Sequence, residues 1–310
     1  MNSINTTQTS HFKIPEIDRL IQSPGPPILE IISPPPTHHP SGAGKTSLLY
    51  LIIAHAILPP IFSSTPLGGQ EAAIIIIDPL HHFSVPRLAE IMLSFLKSSL
   101  LSTDQELNDS LKTDMKSIIK TALQHLHVFH PLSWSSLLTT LDSLPDYLFN
   151  QTTLHKSMHR RIHSLVLEDI DTFVWSIRNT STNTSVSTSS NTLATASTQL
   201  TTRLTRLTKL FSCATVLTSQ STTPSTYRPA LPTSWHQGTS VTRLAVRRVD
   251  VLKFARAISV EEAEKERLQR WEVVNRGRFE CWKVGVGVRD GEGFVFRVGR
   301  GIEVERDGGR

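Results

Sequence analysis

The chain has 310 residues, enough for one α/β domain with additions or for two small domains. Aromatic residues make up only 6% of it, so its core must be mainly aliphatic, and the net charge of +5 permits contact with a polyanion without requiring it. Cys213 and Cys281 are too few for a disulfide framework, which indicates a reducing compartment. No apolar run reaches the roughly 18 residues of a membrane span, and the polar N-terminus predicts no secretory signal.

Short apolar runs alternate with segments of helical spacing along most of the chain. The predicted strands are Ile28–Ile32, Ala72–Asp78, His127–Phe129, Ser164–Asp169 and Ala214–Thr218. The predicted helices are Pro15–Gln22, Ser47–Leu58, Val85–Leu100, Asp104–Leu126, Trp134–Leu148 and Gln199–Phe211. Dense β-branched runs, such as the four isoleucines before Asp78, are typical of buried parallel strands. The alternation predicts a doubly wound, mostly parallel α/β sheet.

Two segments depart from this alternation. Residues 180–198 are almost entirely Ser, Thr, Asn and Ala, and they predict a mobile loop because they offer little apolar surface to bury. Residues 241–310 hold half of the 32 Lys and Arg residues, mixed with acids. Further strands are predicted there at Val241–Val249, Val251–Ala255, Phe279–Val288 and Phe294–Val298, with a charged helix at Val260–Val274. The chain thus divides into a disordered N-terminus (1–14), an α/β core (15–240) and a β-rich C-terminal extension (241–310), which either continues the sheet or caps it.

The residues Ser41, Gly42, Ala43, Gly44, Lys45 and Thr46 form the second half of a phosphate-binding P-loop, between a predicted strand and a predicted helix. In such a loop, backbone N–H groups face the phosphates, the lysine reaches the β- and γ-phosphates and the hydroxyl ligates Mg²⁺. The first glycine of the full motif is replaced by His39, and Pro34–His38 lengthen the entry to the loop. The sequence therefore predicts a nucleotide site, and the alternatives are a helix N-terminus without a ligand or a degenerate site that binds weakly.

Polar side chains end three of the predicted strands. Glu168 and Asp169 follow a buried strand, where a P-loop ATPase needs an acid to hold Mg²⁺ through water, and the spacing does not choose between them. Gln220 ends the next strand, where an amide is able to contact a γ-phosphate. Asp78 ends the isoleucine strand, and hydrolysis needs a carboxylate near the attacking water. The adjacent His81 and His82 lack metal-ligand spacing and are interpreted as exposed loop residues.

These blocks together resemble the RecA-type recombinase fold, and in particular eukaryotic recombinase paralogues of the X-ray repair cross-complementing group. The resemblance covers about residues 15–250 and rests on Ile28-Leu29-Glu30, Gly42 to Thr46, Leu49-Tyr50, Ala56 to Pro59, Ile77-Asp78, His82-Phe83, Arg87-Leu88, Phe173, Trp175, Gln220, Tyr227-Arg228-Pro229 and Trp235. The Tyr-Arg-Pro segment followed by Trp, and Leu-Tyr after the P-loop, are more specific than the P-loop itself.

The resemblance implies a nuclear protein of DNA repair by homologous recombination. It implies that the chain binds other recombinase paralogues and supports recombinase filaments on single-stranded DNA. It assigns ATP and Mg²⁺ to Lys45 and Thr46, the acid to Glu168 and a nucleotide-sensing role to Gln220. Active recombinases place a glutamate where this chain has Leu80, so the resemblance implies little or no ATP hydrolysis and no catalytic residue.

Contact with DNA is expected outside the Ser/Thr-rich segment, which has no Lys, Arg or aromatic residue. The expected DNA-binding residues are Arg228, Trp235, Arg243, Arg247 and Arg248. The loop that carries Tyr227-Arg228-Pro229 and Trp235 either stacks on a base or a partner, or packs onto the sheet. Two other functions stay open: an active P-loop ATPase or kinase of another pathway, and a pseudo-ATPase scaffold without nucleotide.

Overall fold

The computed structural model describes residues 10–21, 23, 25–35, 43–103, 108–150, 157, 159–179, 189–223, 227–249, 259–264, 267, 277–285 and 292–305. Its helices are α1 (Pro15–Leu20), α2 (Lys45–Ile57), α3 (Val85–Leu101), α4 (Asp109–Leu123), α5 (Trp134–Phe149), α6 (Val174–Asn179) and α7 (Ser189–Phe211). Its strands are β1 (Ile28–Ser33), β2 (Ile61–Phe62), β3 (Thr65–Pro66), β4 (Ala73–Ile77), β5 (Leu126–Phe129), β6 (Ile162–Leu167), β7 (Ala214–Gln220), β8 (Val241–Arg248), β9 (Arg278–Val284), β10 (Gly293–Val298) and β11 (Ile302–Glu305).

Nine of these strands form one twisted sheet in the order β11-β10-β9-β8-β1-β7-β6-β4-β5. The strands from β8 to β5 run parallel to one another, whereas β9, β10 and β11 are antiparallel to their neighbours. The predicted fold class is therefore confirmed: the chain is α/β with a large, mostly parallel sheet, consistent with a RecA-like core. Because β7 lies between β1 and β6, the strand before the P-loop and the strand before the two acids share a common neighbour.

Helices cover both faces of the sheet, which explains why β1, β4 and β6 are buried along their whole length. Ile74 and Ile76 of β4 pack into the core beneath α2 and α3, and Ile75 and Ile77 pack into the core beneath α5 and α7. Successive side chains of a strand point to opposite faces of the sheet, so the isoleucine run contributes side chains to both cores. Among the described residues, no helix combines the length and hydropathy that crossing a bilayer requires.

The C-terminal strands continue the main sheet instead of capping it. β8 pairs with β1, with Ile32 opposite Ala245, and β9 then pairs with β8. The structure adds β11, which the sequence did not predict, and shows residues 260–264 as helical. The predicted strand Val251–Ala255 lies outside the described residues, as do residues 36–42 and 1–9. Residues 10–14, which were predicted to be disordered, instead pack onto the core, with Phe12 and Ile14 buried.

The predicted mobile loop is wrong where the structure describes it. Residues 189–198 form the first part of α7, while residues 180–188 lie outside the described part of the chain. The apolar residues of α7 recur at helical spacing, and those buried in the core are Ala196, Leu200, Leu204, Leu207 and Phe211. Composition alone hid this stripe, because its apolar residues are few and buried hydroxyl residues, Ser197, Thr201 and Thr208, lie among them.

This correction predicts that Ala196→Asp destabilises the protein by about 2–4 kcal/mol, because it places an unpaired carboxylate in the core. Ala194 lies on the exposed face of the same helix, so Ala194→Asp should cost less than about 1 kcal/mol, its helix-propensity term. The measurement is chemical unfolding of both variants. Equal, small effects would mean that residues 189–198 are not packed as a helix.

Candidate nucleotide site

The carboxyl ends of β1, β7, β6 and β4 place the predicted phosphate and metal residues at one edge of the sheet. This edge is where parallel α/β sheets bind ligands. Lys45 and Thr46 begin α2, and Gly44 before them takes a φ of 92°, in the left-handed region that favours glycine. Ser33 is opposite Gln220 in the register of β1 and β7, so the predicted sensor lies at the same edge. Ser41 and Gly42 lie outside the described residues.

Lys45 and Thr46 each contact a different acid at the end of β6. The Thr46 hydroxyl donates a short hydrogen bond to Glu168 Oε1. The Lys45 ammonium donates to Ser33 Oγ at 3.1 Å and lies 3.2 Å from Asp169 Oδ1, as an ion pair without hydrogen-bond alignment. The two acids that sequence spacing could not separate are thus distinguished by their partners.

The surroundings of Glu168 disfavour the ionised form of its carboxylate. Glu168 is almost fully buried, and this burial raises its pKa to about 7. The hydrogen bond from Thr46 lowers the pKa, whereas the negative charges of Asp169 and Asp78 raise it further. Its Oε2 atom is buried and accepts no hydrogen bond from the described residues. A divalent cation beside Thr46 would satisfy that oxygen and favour the ionised form.

The residues at this edge fit Mg²⁺ held together with nucleotide phosphates. In the described part of the chain, no three His, Cys, Asp or Glu side chains are grouped so as to hold a metal by themselves. Mg²⁺ usually keeps several waters and takes one or two protein oxygens plus phosphates, which matches a hydroxyl from Thr46 and a carboxylate from Glu168. Phosphate binding would fall to Lys45 and to the backbone N–H groups at the start of α2.

His82 joins this edge although the sequence suggested only an exposed loop residue. Its ring is exposed, yet its Nδ1 lies 2.9 Å from Asp169 Oδ2. Its neighbour His81 stacks on His130, with ring centroids 3.9 Å apart. The pairing of β4 with β6 brings the loop after β4 beside Asp169, and no local sequence signal reports such a contact.

Asp78 performs a structural task at the end of β4. Its carboxylate is fully buried and accepts the backbone N–H groups of His82 and Phe83, which fixes the loop. Leu80, at the position where active recombinases carry a glutamate, is 43% exposed. A leucine side chain has no atom that orients water. Within the described residues, this loop therefore gives the site no carboxylate for activating a water.

The C-terminal extension reaches the P-loop through Phe279 of β9. A Cβ atom added to Gly44 would lie 2.7 Å from the Phe279 ring, so glycine is needed there for space as well as for backbone conformation. The Arg248 guanidinium lies over the same ring, 5.6 Å from its centroid. The strands after β8 thus form a wall beside the start of α2.

Several residues expected to contact DNA are held by intramolecular contacts. The buried Glu30 of β1 accepts hydrogen bonds from Thr233, from Trp235 Nε1 at 2.8 Å and from Arg243 at 2.6 and 2.9 Å. Arg247 forms an ion pair with Glu280 and stacks on Trp282. Glu30 was not predicted to bind other elements of the fold, although a glutamate inside an otherwise apolar strand is a signal that it needs buried partners.

The loop after β7 was predicted either to stack on a base or a partner or to pack onto the sheet, and in the structure it packs onto the sheet. Tyr227 is buried against Ile32 and Ala245 and meets Trp282 edge to face. Trp235 is half-buried and packs against the core beneath α7. Arg228 is the exposed member of its Tyr-Arg-Pro segment.

The chain is similar to the DNA repair protein XRCC2 of Mus musculus. The two are 28% identical over 156 residues, which cover 50% of this chain and 46% of that protein, so the chain spans about half the length of the curated relative that it matches. No protein-family model matches the chain. The resemblance, which was strongest to the second member of the X-ray repair cross-complementing group, is confirmed as a similarity to that protein.

The contacts of Glu30 predict that breaking its ion pair with Arg243 lowers the free energy of unfolding much more than breaking an ion pair on the surface. Glu30→Gln should destabilise the chain by about 3–5 kcal/mol, because it leaves the Arg243 guanidinium without its buried counterion. Asp142→Asn breaks a pair with Arg203 on the surface and should cost less than about 1 kcal/mol. Denaturant unfolding measures both. Similar small values would show that Glu30 does not hold β8 and the Trp235 loop to β1.

Proposed function

We propose that the chain acts in DNA repair by homologous recombination, as a nuclear recombinase paralogue that works in a complex with other paralogues. Its proposed role is to support assembly of recombinase filaments on single-stranded DNA. The main observation behind the proposal is that Lys45 and Thr46 lie beside Glu168 at the edge of a RecA-like sheet, with Thr46 bonded to Glu168. The chain is also similar to a DNA repair protein.

The site supports weak binding of ATP with Mg²⁺. Lys45 would meet the β- and γ-phosphates as a point charge, while Thr46 and Glu168 would hold the metal, and Gln220 lies where an amide is able to sense the nucleotide. Binding must compete with the contacts of Lys45 to Ser33 and Asp169. Repulsion between the phosphates and the buried acids adds a cost, which bound Mg²⁺ would reduce.

The same site favours binding over turnover. Hydrolysis needs a group that orients water at the γ-phosphate. Leu80 lacks such a group, and the Asp78 carboxylate is occupied by two backbone N–H groups. A nucleotide that is bound but not hydrolysed stabilises the folded state by linkage, which suits a structural role in a complex.

We expect the purified chain to bind ATP with a Kd of about 10 µM or weaker, a binding free energy no stronger than about −7 kcal/mol, and to hydrolyse it negligibly. Lys45→Ala should weaken binding at least tenfold, because it removes the cation that meets the phosphates. Lys97→Ala, on the exposed side of α3, is the matched control. Equilibrium titration and phosphate release measure the two quantities.

Steady hydrolysis that Lys45→Ala abolishes would instead favour the active ATPase. Absence of any ATP binding, with a normally folded chain, would favour the pseudo-ATPase scaffold.

For DNA, we propose a weak, salt-dependent contact with single strands through the exposed Arg228 and through Arg248 beside the P-loop. Arg243, Arg247 and Trp235 would contribute less, because their side chains already bind Glu30 or Glu280. Tight binding would need the paralogue complex. The electrostatic part of such binding falls with salt in proportion to the phosphates contacted.

The combined change Arg228→Ala and Arg248→Ala should weaken single-strand binding severalfold and lower the salt slope by about 1.4, since each of the two phosphate contacts contributes about 0.7. The charge-matched control is Lys116→Ala with Lys120→Ala on α4. Fluorescence titrations at two salt concentrations give both values. An equal loss in the control would show that only net charge matters.

A further inference from the structure

Asp169 lies between two basic side chains at the nucleotide edge. Its Oδ1 is 3.2 Å from the Lys45 ammonium, and its Oδ2 is 2.9 Å from Nδ1 of His82. The Asp169 residue and the Lys45 side chain are both largely buried, so water screens the contact between them little, whereas the His82 ring is exposed. The lysine that would meet a phosphate is therefore already paired with a fixed negative charge.

The backbone holds Asp169 in this position. Its φ of 46° is left-handed, a conformation that Asp and Asn tolerate better than most residues. Its N–H donates to Thr218 Oγ1 of β7 at 2.8 Å, and the residue precedes a 3₁₀ turn, Ile170–Phe173. The carboxylate is thus aimed at Lys45 by the ends of β6 and β7 together.

Glu168 and Asp169 serve different residues of the P-loop. Glu168 bonds to the hydroxyl of Thr46 and keeps one buried oxygen without a hydrogen-bond partner among the described residues, as a metal-holding acid would. Asp169 instead neutralises Lys45. A phosphate placed at Lys45 would lie within a few ångströms of the Asp169 carboxylate, and like charges at that distance repel.

We infer that Asp169 is an internal counterion that a nucleotide must displace from Lys45, and not a ligand of the metal. The inference rests on the proposed ATP binding and identifies which acid supports it and which opposes it. His82 is a positioning residue in this arrangement, because it holds the second oxygen of Asp169 and so keeps the first directed at Lys45.

The test compares Asp169→Asn with two other amide substitutions in titrations of Mg²⁺–ATP. Asparagine accepts the left-handed backbone, so Asp169→Asn removes charge with little change of shape. It should raise ATP affinity about tenfold. Glu168→Gln should lower the Mg²⁺-dependent affinity. Asp171→Asn removes a charge at the same edge that acts on Lys45 without contacting it, since this carboxylate accepts the Gln220 N–H, and it should raise affinity clearly less than Asp169→Asn.

A second readout needs no nucleotide. In thermal unfolding of the nucleotide-free chain, Lys45→Met and Asp169→Asn should each lower the melting temperature, and the double variant should fall no further than the worse single one. Such non-additivity reports a direct interaction between the two side chains. Additive shifts would overturn the pairing, and His82→Gln should lower the melting temperature less in the Asp169→Asn background than in the wild type.

The possible failures are distinguishable. If the wild-type chain binds ATP and Asp169→Asn leaves the affinity unchanged or lowers it, the counterion role is overturned and the proposed function stands. If Asp171→Asn raises affinity as much as Asp169→Asn, only general electrostatics is at work and the inference also fails. If every variant, including Asp169→Asn, fails to bind ATP, the proposed nucleotide binding itself is overturned.

Discussion

The hydrogen bond from Thr46 to Glu168 joins two segments 122 residues apart, and the arrangement of the site depends on it. It exists because β7 lies between β1 and β6 and because all three strands are parallel, so that their carboxyl ends meet at one edge. Strand order therefore decides which side chains share an environment. The same order brings Lys45 to Asp169 and places Gln220 beside Ser33.

Several negatively charged side chains are buried together at this edge of the sheet. Asp78, Glu168, Asp169 and Asp171 lie there, and burial raises the pKa of Asp171 as it does that of Glu168. Asp78 is stabilised by two backbone N–H groups and Asp169 by its basic neighbours, whereas Glu168 keeps an oxygen without such a bond in the described residues. A divalent cation is the chemical group that would relieve this imbalance, which is why the geometry favours a metal–nucleotide ligand over an uncharged one.

Glu30 joins distant segments of the fold, as the Thr46–Glu168 hydrogen bond does at the candidate site. One carboxylate in the centre of the sheet binds the Trp235 loop and Arg243 of β8, so the C-terminal extension is fastened to the same strand that leads into the P-loop. Phe279 then packs against Gly44, which links the extension to the start of α2. Substitutions in the extension should therefore affect the candidate nucleotide site.

The sequence by itself determined the elements whose signal is local. The isoleucine run gave β4, the P-loop residues gave the start of α2, and the acids after β6 were identified as a pair. Contacts between distant segments were decided only by the tertiary structure: Glu168 with Thr46, Asp169 with Lys45 and His82, and Glu30 with Arg243. The helix over residues 189–198 was hidden for a related reason, since its sparse apolar stripe becomes meaningful only against the face of the sheet that it covers. Periodicity and composition act within a few residues, whereas pairing of charges depends on strand order, which no short stretch of sequence encodes.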